Sequence, residues 1–514
     1  MKKVISLVLC LAMVLTCLAG CGTGAAGGAA TTQAAASSEA SSTDAGASDA
    51  GSAEDLPFVE LTWYCCGQPQ EGYDRVFEKV NEYLKEKLNC SVKLISYDYG
   101  SYDEMLNIAA QAGDEFDLVY TCNWLFDIEN AARKGYIIPL DDLIAKYGQG
   151  YLDSVPQKYR DGALIDGKTY GLINYQIMAK CTGLQIAKDW VDKFDFDVES
   201  VHSFADMEPL FEKVKAEDPS MYGYVPDPTS GSFMVSTKPG EREFEMVMDM
   251  GPAAIRFDDP SKIVNIFESE AYKQHAELMH SWYEKGYIRS DAISLTDLAS
   301  EQATGKYVCW IGGNTYPGSD SVIAATVGYP IVNAQLAEPV AGRNMNLATL
   351  TGISSTSKNP ERAMQLLNLI FTDDYLFNLI CFGIEGETYE FNEDGTVSAI
   401  PSGGYNPGID WAYGNQFNAF RREGQAEDVW DQIKAVNDSA AMSPIGTFSF
   451  NEANVKTEYA MVSAVVSEYD WGFQTGTYDP DEKLPEFLKA LDEAGWPVVQ
   501  EEMQKQYDEY LAAQ

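Results

Sequence analysis

Apolar and polar positions follow two different periods in the first part of the chain after residue 56. Residues 59–63 alternate apolar and polar side chains as a strand does, whereas residues 73–88 carry apolar side chains at helical spacing. A second strand is predicted at 92–95, a helix that opens at the capping box 101–104, and a buried strand at 116–120. Strands that alternate with helices of this length predict βαβ units and a mostly parallel sheet covered by helices.

The loops that follow these strands are the first candidates for a ligand site. In parallel sheets, ligands bind beyond the carboxyl ends of the strands. The first predicted strand runs into Gly67 and Gln68, and the third runs into Asn123 and Trp124.

Helical and strand patterns return further along the chain and predict a second α/β lobe. Apolar residues recur at helical spacing in 203–216 and 268–285, and Gly286 is placed to end the second of these helices. A later strand that contains Trp310 leaves a turn and ends in a glycine-rich loop before Asn314.

The apolar pattern at the amino terminus is a signal for export rather than part of the fold. Lys2 and Lys3 precede an apolar run that is too short to span a bilayer comfortably, and small residues follow before Cys21. The ending Leu-Ala-Gly-Cys looks like a bacterial lipobox, which implies a signal peptide at 1–20 and a lipid on Cys21. The alternative is an ordinary signal peptide in which Cys21 is incidental.

The segment after Cys21 has the composition of a tether. Residues 22–55 are mostly Gly, Ala, Ser and Thr, which cannot bury enough apolar surface to offset the entropy of ordering. A flexible chain of this length has an r.m.s. reach of only about 30 Å. We therefore expect a lipidated cysteine and tether at 21–55, with the folded part close to the outer face of the cell membrane.

Charge narrows the class of ligand without choosing one. The chain has 36 basic and 78 acidic residues and a net charge of -42. Such a surface repels phosphate backbones, so nucleic acid is excluded as a partner, and anionic substrates are less expected than neutral ones. An aromatic content of 12% excludes a merely solvating acidic chain.

Cysteine spacing predicts neither a disulfide framework nor a metal site. The cysteines beyond Cys21 are odd in number and irregularly spaced, and the adjacent Cys65 and Cys66 cannot easily pair with each other. No CxxC spacing occurs. We expect no metal and no cofactor.

Several stretches together resemble a known family. These are the lipobox, the stretch 166–172, the strand that begins at Gly305-Lys306, and the stretch 352–363 with its Ser-Lys-Asn-Pro-Glu sequence before an apolar helix. The chain resembles the lipid-anchored solute-binding proteins of ABC importers, family 1, the maltose-binding-protein-like family. Residues 375–389, 411–417 and 437–450 look like the uncharacterised C-terminal domain of one subgroup of these lipoproteins.

The resemblance implies an α/β fold of the periplasmic-binding-protein type II. In this fold two lobes, each a mostly parallel sheet flanked by helices, are joined by hinge strands and close on a ligand. By this analogy lobe 1 takes 56–172 and 336–378, and lobe 2 takes 173–335 and 379–514, including the C-terminal region of the subgroup.

The same resemblance implies where a ligand would be bound. The resemblance places ligand loops after the strands and in the first hinge, and the Gly- and Pro-rich stretch around Trp411 is added because packing explains an aromatic cluster in a loop less easily. The candidate ligand residues come from both. They are Gly67, Gln68, Asn123, Trp124, Tyr175, Gln176, Trp310, Asn314, Tyr316, Trp411, Tyr413 and Asn415. Trp310 lies in mid-strand and fits a core position as well as a cleft position. Each of the other aromatic residues could equally be a packed residue, and Trp190 and Trp282, on helices, are expected to be packed.

The implied function is capture of a carbohydrate, such as an oligosaccharide, and its delivery to the permease subunits of an ABC transporter. Sugar rings stack on Trp and Tyr, and their hydroxyls need the donors and acceptors of neutral polar side chains. The charged pair often found after the first strand in the maltose-binding branch is replaced by Gly67-Gln68, so maltose is not carried over as the ligand. We expect a monomer anchored to the membrane through Cys21.

Two other functions fit parts of the pattern. A ligand-presenting sensor lipoprotein would have the same sequence features. A secreted glycoside hydrolase would need two carboxylates, which any chain this acidic supplies. No GxSxG, HExxH or P-loop sequence is present, and His275 and His280 do not share one face of a helix. We therefore expect a binding protein and not an enzyme.

Overall fold

The computed structural model describes residues 57–179, 182–228, 238–248, 251–312 and 314–513. The predicted signal peptide, Cys21 and the tether lie outside these residues. The strands are Val59–Cys66 (β1), Cys90–Tyr97 (β2), Leu118–Thr121 (β3), Gly171–Ile173 (β4), Gly183–Ala187 (β5), Tyr222–Val225 (β6), Phe244–Met246 (β7), Ala253–Arg256 (β8), Val264–Asn265 (β9), Tyr307–Gly312 (β10), Ile331–Gln335 (β11), Val340–Ala341 (β12), Leu350–Ile353 (β13), Tyr389–Phe391 (β14), Val397–Ala399 (β15) and Ala441–Met442 (β16).

Helices connect and cover these strands. They are Tyr73–Leu88 (α1), Tyr99–Ala112 (α2), Ile128–Arg133 (α3), Asp141–Tyr147 (α4), Gln149–Ser154 (α5), Gln157–Gly162 (α6), Lys188–Phe194 (α7), Glu208–Glu217 (α8), Glu270–Glu284 (α9), Leu298–Gln302 (α10), Ser319–Val327 (α11), Arg343–Asn346 (α12), Pro360–Thr372 (α13), Asp374–Phe382 (α14), Val429–Ser439 (α15), Lys456–Gln474 (α16), Pro480–Glu493 (α17) and Trp496–Ala513 (α18). None of the helices in the described residues is long and apolar enough to cross a membrane.

The first helix after β2 begins earlier than its sequence pattern predicts. Asp98, rather than Ser101, is its N-cap, and the Asp98 carboxylate accepts hydrogen bonds from the backbone N–H groups of Gly100 and Ser101. The Ser101 hydroxyl donates to the same carboxylate at 2.6 Å. Ser101 therefore supports the Asp98 cap instead of capping the helix itself. The helix ends at Gly113, which adopts the left-handed conformation with φ 72°.

The first sheet has the strand order β2-β1-β3-β13-β4. Strands β1, β2 and β3 are parallel, whereas β13 is antiparallel to both β3 and β4. The carboxyl ends of β1, β2, β3 and β4 therefore share one edge with the amino end of β13. The predicted βαβ units are present in this lobe.

The second sheet has the strand order β11-β5-β10-β6. Strands β10 and β6 are parallel, and β5 is antiparallel to both β10 and β11. The carboxyl ends of β6, β10 and β11 therefore lie at the same edge as the amino end of β5.

The chain crosses between these two edges twice. Residues 174–182 lead from the end of β4 to the start of β5, and residues 336–349 lead from the end of β11 to the start of β13. Both crossings start and finish at the edge where the parallel strands end. Each lobe thus directs its strand-end loops toward the crossings, which is where ligands bind in sheets of this type.

Three separate cores hold the molecule together. The first lies around the first sheet, the second around the second sheet, and the third joins β7–β9 and part of α9 to the C-terminal helices α16–α18. The third core attaches residues 445–507 to segments that are inserted in the second lobe, between β6 and β10.

One predicted boundary differs from this arrangement. Residues 379–440 were assigned to the second lobe, but their buried side chains belong to the first core. The physical reason is that this segment wraps around β1 and α1. Tyr413 packs edge-on against Trp63 with ring centroids 5.3 Å apart, and Arg75 donates to the carbonyl of Gly403 at 2.6 Å.

A buried ion pair links the first lobe to the C-terminal helical region. Arg343, which is 7% exposed, contacts Glu129, and Ser449 donates to the other Glu129 oxygen at 2.6 Å. Burial raises the pKa of Glu129, but the Arg343 charge and the hydrogen bonds outweigh it, so this pKa lies below its usual value.

We expect Glu129→Ala to destabilise the protein by about 3–5 kcal/mol, because it leaves the buried Arg343 charge uncompensated. Urea-induced unfolding followed by circular dichroism measures this change. The control is Glu361→Ala, which breaks an ion pair to Lys146 whose side chains are both 60% exposed and should cost about 1 kcal/mol or less. Equal losses for the two variants would contradict the assignment.

Candidate functional site

Aromatic side chains form a platform at the carboxyl end of β3. The aromatic platform consists of Tyr99, Tyr120, Trp124 and Trp411. The Trp124 ring lies 6.2 Å from those of both Tyr120 and Trp411 and 6.0 Å from that of Tyr99, measured between centroids. Trp124 is 49% exposed and Trp411 is half-buried. Two indole rings are therefore presented toward the crossings instead of being enclosed in the core.

The loop that carries Trp124 is held by its own hydrogen bonds. Thr121 donates its hydroxyl to the carbonyl of Phe126 at 2.5 Å, and the backbone N–H of Leu125 donates to Cys122 Sγ at 2.9 Å. The Trp124 indole N–H donates to the carbonyl of Ala348, at the end of the second crossing, at 2.8 Å. The ring is thus fixed in position although one face is open.

A buried carboxylate positions Trp411 from the neighbouring residue. Asp410 accepts hydrogen bonds from Arg422 at 2.7 Å and from the Gln416 amide at 3.0 Å. Burial raises the pKa of Asp410, but the charge of Arg422 outweighs it and leaves this pKa below its usual value. The pair closes the 410–422 stretch into a loop, and Trp411 is carried on it.

The first crossing contains Tyr175 and Gln176, the two residues predicted there. The backbone N–H of Tyr175 donates to the carbonyl of Gly414 at 2.7 Å, and the Tyr175 ring packs edge-on against Phe417. Gln176 is half-buried and donates from its amide to Thr349 Oγ1 at 3.3 Å. Tyr175 and Asn415 face each other in a parallel bridge. These residues bring the two crossings and the Trp411 loop together.

The second lobe contributes the loop after β10. The Asn314 amide donates to the carbonyl of Ala179 in the first crossing at 3.2 Å. Tyr316 is half-buried and packs against the first core although it belongs to the second lobe. Both residues therefore lie where the second lobe contacts the first crossing and the first core.

Three predicted ligand residues are core residues instead, and one of them is Tyr175, which is 6% exposed and belongs to the first core. Trp310 is 0% exposed, and its indole N–H donates to Gln185 at 2.7 Å. Tyr413 is 1% exposed, and its ring packs on Trp63. Trp310 is buried because all six residues of β10 are covered on both faces of the sheet.

Three other predicted residues lie in the loops that follow β1 and β3. Gly67 has φ +123°, and a Cβ there would lie 3.0 Å from the Ile409 side chain, so glycine allows the 409 loop to approach. Gln68 is exposed beside it. Asn123 ties its amide to the carbonyl of Asn344 at 3.1 Å.

Sequence reasoning missed a cavity of about 520 Å³ at the edge of the second sheet. It is lined by both crossings, through Thr182, Leu336 and Ala337, and by Arg242 and His275 from the inserted segments. Arg242 donates to the Thr182 hydroxyl at 2.9 Å, and burial lowers the pKa of His275 to about 4, so this imidazole is neutral at pH 7. These residues are scattered along the chain, and no local pattern joins them.

Among the residues that the structure describes, no group of three or more His, Cys, Asp and Glu side chains could hold a metal ion. The described site thus consists of indole and phenol rings, amides and hydroxyls. Such groups bind a ligand by stacking and by neutral hydrogen bonds.

The model of the family "Bacterial extracellular solute-binding protein" matches residues 78–378. The chain belongs to this family. Residues 444–512 match a domain of unknown function, DUF3502, which corresponds to the C-terminal helices. The resemblance inferred from the sequence is thereby confirmed, and the family's location outside the cytoplasm applies to this chain.

Relatives of this family member include proteins with assigned ligands. A "carbohydrate ABC transporter substrate-binding protein" of Streptococcus pneumoniae serotype 4 is 26% identical over 485 residues, which cover 89% of this chain and 91% of the relative. A crystal structure of the N-glycan transport solute-binding protein of Streptococcus pneumoniae has a TM-score of 0.79 at 24% identity, covering 88% of this chain and 99% of that one. The alginate-binding protein AlgQ2 has a TM-score of 0.59 at 17% identity, covering 90% and 100%. These solute-binding proteins confirm the predicted two-lobed fold.

We expect Asp410→Asn to destabilise this family member by about 3–5 kcal/mol, since the buried Arg422 loses its counter-charge. The lowered pKa of Asp410 means that its contribution to stability is present above the pKa of the unfolded carboxyl, about 3.9, and is lost as the pH falls through the folded value. The difference between wild type and variant in urea unfolding should therefore be full at pH 7 and shrink at pH 3. The exposed Asp431→Asn is the control and should change stability at neither pH; a pH-independent difference for Asp410→Asn would contradict the prediction.

Proposed function

We propose that this protein captures a carbohydrate between its lobes and passes it to the transmembrane subunits of an ABC transporter. The observation that carries the proposal is the aromatic platform, in which Trp124 is 49% exposed and Trp411 is half-buried. The relatives support a carbohydrate, because one is named as a carbohydrate-binding subunit and another is described in complex with Man1GlcNAc and with Man5GlcNAc.

The chemistry of the platform fits the two sides of a sugar ring. The apolar C–H face of a pyranose packs on an indole face, and its equatorial hydroxyls point sideways toward hydrogen-bonding groups. Gln176, Gln68 and Asn415 supply such groups within the same lobe. The second lobe adds Asn314 and Tyr316 from the opposite edge.

Closure of the lobes is the signal that a transporter would detect. A ligand that contacts both edges binds the closed arrangement more tightly than the open one, and it shifts the equilibrium by that difference in affinity. Binding without chemistry suffices for this role.

Incubation with Man5GlcNAc should therefore release no shorter sugar, and mass spectrometry of the recovered glycan checks this.

We expect Trp124→Ala and Trp411→Ala each to weaken binding of Man5GlcNAc about tenfold, or ~1.4 kcal/mol, through loss of stacking. Isothermal titration calorimetry measures the affinities. Trp190→Ala is the matched control, because Trp190 stacks on Phe194 in α7. Helix α7 follows β5 of the second sheet, whereas the aromatic platform lies at the end of β3 in the first sheet. Loss of the Trp190 ring should therefore leave the affinity unchanged. Tight binding of an amino acid or peptide with no response to any glycan would refute the carbohydrate assignment.

We also propose that Cys21 carries the lipid that anchors the protein on the outer face of the cell membrane. Cys21→Ala should move the protein from the membrane fraction to the culture medium, as seen by immunoblotting of the two fractions. Cys17→Ala, in the apolar run of the same segment, should leave the protein in the membrane fraction. Retention of the Cys21→Ala protein at the membrane would show that the anchor is elsewhere.

A further inference from the structure

Residues 379–443 lie between the stretches that the two family models match. This stretch, here called the clip segment, includes the hairpin β14–β15, the Trp411 loop and helix α15. Its buried residues belong to the core of the first lobe. It also makes the hydrogen bonds that hold both crossings.

The side chain of Asn437 in α15 binds the first crossing from inside the protein. Asn437 is 0% exposed. Its amide oxygen accepts from the backbone N–H of Met178 at 2.7 Å, and its amide nitrogen donates to the carbonyl of Gln176 at 2.8 Å. The Asn437 carbonyl itself accepts from the Tyr159 hydroxyl of the first lobe at 2.5 Å. One side chain therefore satisfies two backbone groups that have no strand partner.

The Trp411 loop of the clip segment holds Asn174 and Tyr175, which precede Gln176 in the first crossing. The Asn174 amide donates to the carbonyl of Ala412 at 2.8 Å. The backbone of Tyr175 donates to Gly414 at 2.7 Å and accepts from Gln416 at 2.8 Å. Residues 174–178 are thus held to the first lobe along their whole length.

The partners of the crossing change after Met178. The carbonyl of Ala179 accepts from Asn314, which follows β10 in the second lobe, at 3.2 Å. The carbonyl of Thr182 accepts from the backbone N–H of Leu336, which follows β11 in the second lobe, at 2.8 Å. Among the described residues, the hydrogen bonds of the first crossing therefore pass from one lobe to the other after Met178, while the Ala179 side chain still packs in the first core.

The end of the clip segment holds the second crossing in the same way. Strand β16 pairs with β12 in parallel, and the backbone N–H of Ser443 donates to the carbonyl of Ala341 at 2.7 Å. Ala341 is fully buried in the first core. A helix and strand adjacent in sequence, α15 and β16, therefore fasten both crossings to the first lobe.

We propose that Asn437 is a positioning residue, which fixes Gln176 of the first crossing as part of the rigid wall of the first lobe. The lobes then move relative to each other without changing the hydrogen bonds of residues 174–178, which are the same in the open and closed arrangements. The effect of Asn437 on affinity rests on the proposed carbohydrate function, whereas the hydrogen bond to Met178 does not.

Amide hydrogen exchange of the full chain, read at single-residue resolution, tests the position of the boundary without any substitution. In the wild type, the slow exchange of the Tyr175 and Met178 amides should not change when Man5GlcNAc saturates the protein, because their partners belong to one lobe. A ligand-induced change of tenfold or more at either amide would overturn the proposal.

The variant Asn437→Ala tests the role of the side chain. Exchange at Met178 should rise at least tenfold in the unliganded protein, and affinity for Man5GlcNAc should fall about tenfold by calorimetry. The control is Ala435→Gly, which weakens the same helix at an exposed position but keeps the Asn437 side chain and its hydrogen bonds. It should leave exchange at Met178 and affinity within twofold of the wild type.

The outcomes separate the two proposals. One outcome is that the wild type binds no glycan, but exchange at Met178 is still faster in Asn437→Ala than in Ala435→Gly. In that case the role of Asn437 in holding Met178 stands and the carbohydrate assignment fails. If the two variants exchange alike at Met178, or if Asn437→Ala binds Man5GlcNAc as the wild type does, the positioning role is refuted. Should Asn437→Ala not fold, the wild-type exchange experiment still decides where the lobes part.

Discussion

The chain must cross between two sheets, and the backbone groups of those crossings set the constraint on which the structure depends. A segment that has left one sheet and not yet entered another has N–H and C=O groups without strand partners, and burying them unpaired is costly. Here their partners come from the Trp411 loop, from Asn437 and from β16. Because the Trp411 loop binds these backbone groups, it lies at the edge where the strands end, beside Trp124.

Local pattern was enough for the first sheet and not for the distinction between core and cleft. Strands β1 to β3 have their own alternation or apolar run, with helices between them, so these strands and their parallel direction could be predicted, whereas their order in the sheet could not. Trp124 follows β3 and Trp310 lies within β10, and no local pattern shows which of the two rings is enclosed. The difference arises because β10 is covered on both faces, while the loop after β3 projects beyond its sheet.

The placement of residues 379–440 could not follow from the sequence because its partners are remote. Arg75 and Gly403, which are in contact, are 328 residues apart, and Lys158 and Asn437 are 279 apart. The apolar runs in this stretch are short and are interrupted by Gly and Pro. They indicate that the stretch is buried, but not which lobe it packs against. The missed cavity at the second sheet has the same origin, since its lining comes from segments joined only by the fold.

Charge and rigidity together define what the first lobe offers to a ligand. In a chain of net charge -42, the buried carboxylates Glu129 and Asp410 are both neutralised by an arginine, and the aromatic platform itself is uncharged. The Trp124 and Trp411 rings and the Gln176 amide are all fixed to the first core, so their spacing does not depend on how the lobes stand. A ligand that binds by stacking can therefore dock on the first lobe before closure. In the proposed binding mode, contacts from residues of the second lobe such as Asn314 and Tyr316 depend on closure and favour the closed arrangement over the open one.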